Sequence, residues 1–167
     1  PKKLLKLLRV TLHNNDELAC FKAECAASGR IGALDIGSKK IGVAISDATR
    51  LLASPYTILF RRSDSLVSTE LGELIRERQI VGWVVGWPLE LDGREGSSCN
   101  MVREFVTKIL EPFELPIMLI DERMSTALVR RHLSYTNLTR RQKDALDDKL
   151  AAATLLQTVL DSIRCLQ

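Results

Sequence analysis

The sequence predicts an α/β fold: a five-stranded mixed sheet, three antiparallel strands then two parallel ones, flanked by helices. Three observations carry that reading. Three short apolar runs follow one another closely after Gly29, as in a meander. Two later apolar runs are separated from them, and from each other, by amphipathic helical patterns, as parallel crossovers require. The chain has 167 residues, 46% of them hydrophobic and 27% charged, which suits one domain with a single layered core.

Residues 1–28 differ in texture from the rest. Leu4, Leu5, Leu8 and Leu12, then Leu18, Phe21, Ala23 and Cys25, recur at near-helical spacing. They predict one or two helices forming an N-terminal helical extension, with residues 29–167 as the sheet domain. The segment from Lys2 to Arg9 has the charge of a signal n-region, but Lys6 interrupts its apolar patch and His13 to Glu17 end it. We therefore expect no signal peptide and a cytoplasmic protein. Cys20, Cys25, Cys99 and Cys165 form no CxxC pair, and with only two His they offer no zinc spacing. No run of eighteen apolar residues occurs, so no membrane partner is expected.

The first two strands are predicted at 31–36 and 41–46, joined by the turn-like Gly37-Ser38-Lys39-Lys40, and a third around 56–60. From 65 to 78, Leu66, Val67, Leu71, Leu74 and Ile75 mark one helical face. Residues 81–85 are continuously apolar, as for a strand covered on both sides. A polar loop at 88–96 precedes a helix with Met101, Val102, Phe105, Val106, Ile109 and Leu110 on its inner side, and 115–120 is the fifth strand. A short helix is expected at 125–132, a turn at 136–137 and a long helix over 145–163. Three antiparallel strands, two parallel additions and a returning helix make up the ribonuclease H-like architecture, an order that does not name a reaction.

Function is read from where the acids fall. Asp35 interrupts an apolar strand, where a carboxylate is costly unless it is paired or binds a cation. The fifth strand runs into Asp121-Glu122-Arg123, at the carboxyl edge where open α/β sheets bind ligands. Alternation sends adjacent side chains to opposite faces and does not choose between the two acids. Asp148, Ala152, Leu155 and Val159 share one helical stripe, whereas Asp147 shares a face with Ala151, Thr154 and Thr158. Asp148 is the acid carried inward. Such carboxylates would repel one another unless a divalent cation sat between them, and oxygen-only ligands favour Mg²⁺ or Mn²⁺. Metal held that way suits phosphodiester hydrolysis.

These residues resemble the YqgF family, also described as RuvX-like Holliday-junction resolvases or pre-16S ribosomal RNA nucleases. Asp35-Ile36-Gly37-Ser38-Lys39-Lys40-Ile41-Gly42-Val43-Ala44 with Ser46-Asp47 is similar to its opening motif, and Val85-Gly86-Trp87-Pro88-Leu89 with Leu91-Asp92-Gly93 to its GxPLxxDG loop. Asp121-Glu122-Arg123-Met124-Ser125-Thr126 resembles its DERxST motif, and the segment from Asp148 to Gln157 its DxxAAxxxLQ helix. Four motifs in order are a specific signal. The resemblance implies a metal-dependent endonuclease acting on structured nucleic acid, either a ribosomal RNA precursor or a four-way DNA junction. Asp35, Glu122 and Asp148 are its expected catalytic acids and metal ligands, with Asp121 an additional ligand. Trp87 departs from the small or aliphatic residue usual before the proline, and Lys40 from the common arginine.

Lys39, Lys40 and Arg123 lie beside these acids, and Arg94 stands in the loop at 88–96, read as a substrate-facing flap; all four are expected to hold substrate phosphate, bidentately for the arginines. Paired bases at Lys39-Lys40, Arg61-Arg62, Arg130-Arg131 and Arg140-Arg141 suggest a basic rim, within a net charge of only +3. Aromatic residues are 5% of the chain, which makes base stacking an unpromising mode. Cutting a junction in two strands would call for a symmetric homodimer, whereas trimming RNA would not. Two other readings stand beside the nuclease. One is a nucleic-acid-binding factor with weak catalysis. The other is an actin-like or sugar-kinase ATPase, which shares a DxG hairpin but needs a second lobe and a further glycine-rich loop.

Overall fold

The computed structural model describes residues 8–10, 15–124 and 140–166. The expected helix at 125–132 and turn at 136–137 lie outside the described residues, as do the side chains of 140–146 and 148.

Strands β2 (Arg30–Ile36), β3 (Lys40–Ser46) and β4 (Ala53–Phe60), numbered after an edge strand β1 (Leu8–Val10), form the antiparallel meander. After α2 (Asp64–Arg78), β5 (Ile80–Trp87) pairs parallel to β2, and β6 (Ile117–Asp121) pairs parallel to β5. The five strands stand in the order and directions of the ribonuclease H-like fold. A sixth strand is added, because β1 pairs parallel to the outer edge of β6. This corrects the helix expected across Leu8. Leucines at short intervals satisfy a helical period or a strand equally well, and the unpaired N–H and C=O groups along β6 favour the strand.

Among the described residues before β2, one helix is present. In α1 (Asn15–Glu24), Leu18 and Phe21 are buried in the same cluster as Ile31, Met118 and Leu155. Arg50 ties this segment down, its Nε donating to the Gly29 carbonyl at 2.9 Å and its Nη2 to the Ala26 carbonyl at 2.5 Å.

Alternation along the strands sorts the core into two layers. Ile31, Ala33, Ala44, Val84, Met118 and Ile120 face α1 and the long terminal helix α4 (Arg140–Arg164). Leu34, Ile36, Val43, Trp83, Val85 and Leu119 face α2 and α3 (Ser97–Phe105). Helix α2 starts where Ser63 Oγ accepts from the Leu66 N–H at 3.2 Å, and it stops at Gln79 in the left-handed region. The helix predicted through Leu110 is not continuous. It passes into a π turn at Val106–Leu110 and a 3-10 turn at Glu111–Phe113. Pro112 lacks the N–H that would bond back to Lys108 and its ring crowds that carbonyl, so α-helical pairing fails there. Among the described residues no helix is long and apolar enough to cross a membrane.

Candidate active site

Asp35 follows Ile31 and Ala33 on the face toward α4 and is half-buried there. Its antiparallel partner in β3 is Gly42, and β5 brings Gly86 alongside, one residue beyond the Leu34–Val85 pair. Neither glycine places a side chain beside the carboxylate. On β6, Ile117 and Leu119 face α3, and Asp121 continues that alternation. Glu122 opens the 3-10 turn Glu122–Met124 and folds its side chain back over Gly86. A Cβ at position 86 would lie 2.8 Å from Glu122 Cδ and 2.9 Å from Cγ. Gly86 is thus the cradle that lets Glu122 reach Asp35.

Electrostatics records the same meeting. The Glu122 carboxyl is pushed up to about 8, first by burial, then by the Asp35 charge, by the hydrogen bond it donates to Asp35, and by the Asp121 charge. Asp121 has a different environment. It is 8% exposed, and Arg123 grips it with Nη2 at 2.6 Å, Nε at 2.9 Å and the backbone N–H at 3.0 Å. Burial pushes Asp121 up, but the Arg123 hydrogen bonds and charge outweigh this and hold it below the usual carboxylate value. Adjacent acids therefore take two roles, one beside Asp35 and one in an ion pair.

Helix α4 carries Asp148 one turn before Ala152, and Ala152, Leu155 and Val159 are all buried against the sheet face that holds Asp35. The Asp148 side chain lies outside the described residues. Beside it, Asp147 buries its Oδ1 with no hydrogen-bond partner among the described residues. Among the described residues no group of three or more His, Cys, Asp or Glu side chains comes together as a metal site. The Asp35–Glu122 pair does fit a hard divalent cation. It offers only oxygen donors, and Glu122 retains a proton where a cation would otherwise compensate its charge.

The expected phosphate ligands ring this edge. Lys39 and Lys40 close the β2–β3 turn, where the Gly37 N–H donates to the Lys40 carbonyl at 2.9 Å. Arg94 is highly exposed and paired with Asp92 at 2.6 Å, an arrangement weak enough to yield to phosphate. The loop after β5 is a closed turn. Glu90 donates to the Arg94 carbonyl, and Gly93, at φ +86°, donates to the Glu90 carbonyl. Gly93 lies against Arg123, so the loop tip meets the Asp121–Arg123 pair.

Some supporting residues escaped sequence reasoning. Arg103 stacks 5.2 Å above Trp87 and donates to Glu95 at 2.5 Å and Asn100 at 2.7 Å, joining the loop to α3. Gln157 accepts from the Ala53 N–H at 2.8 Å and donates to the Leu51 carbonyl at 3.0 Å, pinning the β3–β4 connection to α4. Gly86 left a signal as a glycine in an apolar strand, and Gly86, Trp87 and Gln157 all stand in the family motifs, which did not show these contacts.

A family model described as RuvX, Holliday junction resolvase, matches residues 29–162. The chain belongs to this family. It is a nucleic-acid-cleaving hydrolase, as the sequence motifs implied. A relative in Ehrlichia chaffeensis, named as a candidate pre-16S rRNA nuclease, is 42% identical over 138 residues, covering 83% of this chain and 88% of its own. One of the same name in Rhodospirillum centenum is 39% identical over 149 residues, covering 86% and 79%. Among solved structures, Thermus thermophilus RuvC in complex with a Holliday junction superposes with a TM-score of 0.48 at 14% identity, covering 76% of this chain and 91% of that one. The yeast mitochondrial resolvase Ydc2 gives 0.49 at 10%, covering 89% and 86%.

Proposed function

We propose that this protein is a divalent-cation-dependent endonuclease that cuts a phosphodiester bond in a ribosomal RNA precursor. The carrying observation is the Asp35–Glu122 pair seated over Gly86 at the carboxyl edge of the parallel strands. Identities near 40% to relatives named for pre-16S rRNA favour RNA as the substrate. Asp35 and Glu122 would hold Mg²⁺ or Mn²⁺, with Asp148 as the third expected ligand. Bound there, such a cation would supply activation of the attacking water and charge stabilisation on the leaving oxygen.

The chain's own residues supply the rest. Arg123 keeps Asp121 ionised and turned away, so that Glu122 alone of the two acids joins Asp35. Lys39, Lys40 and Arg94 would orient the scissile phosphate and its neighbours, since point charges and guanidinium forks bind phosphate without reading sequence.

The test is incubation of the purified chain, beside Asp35→Asn, Glu122→Gln and Asp148→Ala, with a labelled pre-16S RNA end and with a four-way DNA junction. Each is assayed in Mg²⁺, in Mn²⁺ and in chelator. RNA products that need the cation and vanish in the variants are expected. Products from the junction alone would overturn the choice of RNA, and no products from either would overturn the enzyme reading.

A further inference from the structure

Phe60 is a large aromatic residue left 52% exposed at the last position of β4. Its place in the sheet is specific. Phe60 is the direct partner of Lys40, Gly42 is the direct partner of Asp35, and Lys40 and Gly42 are two residues apart on β3. Cross-strand partners share a face, as do residues i and i+2, so Phe60, Lys40 and Asp35 all stand on the same side of the sheet. The neighbouring Leu59 has the opposite facing and is buried in the layer toward α2 and α3. Two strand spacings sideways and two residues lengthwise put Phe60 about 12 Å from Asp35, at the end of the sheet where the acids gather.

The surroundings are cationic. Lys40 is directly opposite, and Arg61 and Arg62 follow Phe60 in the chain. The backbone N–H of Arg61 donates to the Lys39 carbonyl at 3.0 Å and its Nη1 to the Gly37 carbonyl at 3.0 Å, which locks this end of β4 to the turn after Asp35. Arg61 also stacks 5.4 Å from the Phe105 ring, on the other side of the sheet from Phe60. An exposed ring beside basic side chains on a rigid strand end is the composition of a subsite for an unpaired nucleotide, with the base on the ring and the phosphate on the cations.

We propose that Phe60, with Lys40 and Arg62, forms a stacking subsite for an unpaired base flanking the phosphate held at Asp35 and Glu122. The inference rests on the nuclease reading and sharpens it, because it requires the cut strand to be single-stranded on one side of the scissile bond. The low aromatic content of the chain pointed away from stacking, but a single correctly placed ring is enough.

The experiment measures binding without cleavage. Wild type, Phe60→Ala and Phe60→Trp are titrated, with Ca²⁺ in place of the catalytic cation, against a fluorescent RNA stem with a single-stranded flank. The flank carries an abasic nucleotide at each position in turn, and circular dichroism confirms that the variants fold. For wild type, one flank position should weaken binding at least about fivefold when its base is removed, the lower range for one base–aromatic stack. Phe60→Ala should bind the intact RNA more weakly by a similar factor and be indifferent to base removal, while Phe60→Trp should restore the penalty. An abasic penalty unchanged in Phe60→Ala, or absent from wild type that binds the RNA, would overturn the subsite alone. Failure of wild type to bind any of the RNAs would overturn the subsite and the choice of RNA as substrate together.

Discussion

The Glu122 side chain occupies the space that any side chain at position 86 would need, with its Cγ 2.9 Å from where a Gly86 Cβ would sit. A strand glycine thus decides where an acid just past the end of the next strand can go. Gly86→Ala is expected to expel Glu122 from Asp35. Displacement of a catalytic group by about 1 Å can cost on the order of 10²-fold in rate. Single-turnover cleavage should fall by at least that much, while a thermal melt shows a folded protein destabilised by about 1–3 kcal/mol. Cleavage near the wild-type rate would refute the cradle.

Glu122 also sets a pH dependence in the cation-free protein. Its folded-state value, about 8, lies above the ordinary glutamate value, so the folded state holds the extra proton between the two. Stability therefore falls as pH rises from about 5 to 8 and is lowest above that window. Glu122→Gln removes the titration. At pH 8 the variant should melt above wild type, by about 2–4 °C for each kcal/mol of relief, and at pH 5 the two should converge. Added Mg²⁺ should close the gap by stabilising wild type only.

The Asp121–Arg123 pair should behave as structure. Arg123→Ala leaves a buried carboxylate without its three side-chain hydrogen bonds and is expected to cost about 1–3 kcal/mol in urea denaturation. Arg123→Lys should recover only part of this, since an ammonium cannot reproduce the fork. Equal stability of all three proteins would mean that the pair contributes nothing.

Gln157 joins two distant parts of the chain through single hydrogen bonds at Leu51 and Ala53. Gln157→Ala should cost about 1 kcal/mol. Amide exchange at Ala53 should quicken selectively, because its donor loses the side-chain acceptor. Exchange accelerated evenly across β3 and β4 would instead indicate a general loosening.

An exposed turn supplies the acid-range counterpart. Asp47 accepts from the Leu51 N–H at 2.8 Å, the Leu52 N–H at 2.9 Å and the Thr49 hydroxyl, and these bonds, the one to Leu52 foremost, hold its carboxyl down to about 2. Its stabilisation is present above the ordinary aspartate value and is lost as pH falls through about 2. Asp47→Asn should flatten the part of the acid-unfolding curve between about pH 4 and 2. An unchanged curve would show that these bonds contribute nothing to stability.

Much of the fold was legible because its elements are local. Five strands and the helices described at Asp64–Arg78, Ser97–Phe105 and Arg140–Arg164 follow from hydrophobic period, and the inward stripe at Ala152, Leu155 and Val159 from helical arithmetic alone. Asp35 and Glu122 were legible as candidates as well, since a carboxylate in an apolar strand or at its end stands out against its neighbours. The family's motifs supplied the activity class. What the sequence by itself could not determine depended on partners far away in the chain. Leu8–Val10 became a strand because β6 had a free edge, and the helix before Pro112 broke by a clash and a missing N–H. The choice between Asp121 and Glu122 was made by Arg123 on one side and by the empty space over Gly86 on the other. Period and propensity report what each residue prefers along its own backbone. Which neighbour it meets is decided by packing, and charge pairing and close approach exist only once the sheet has formed.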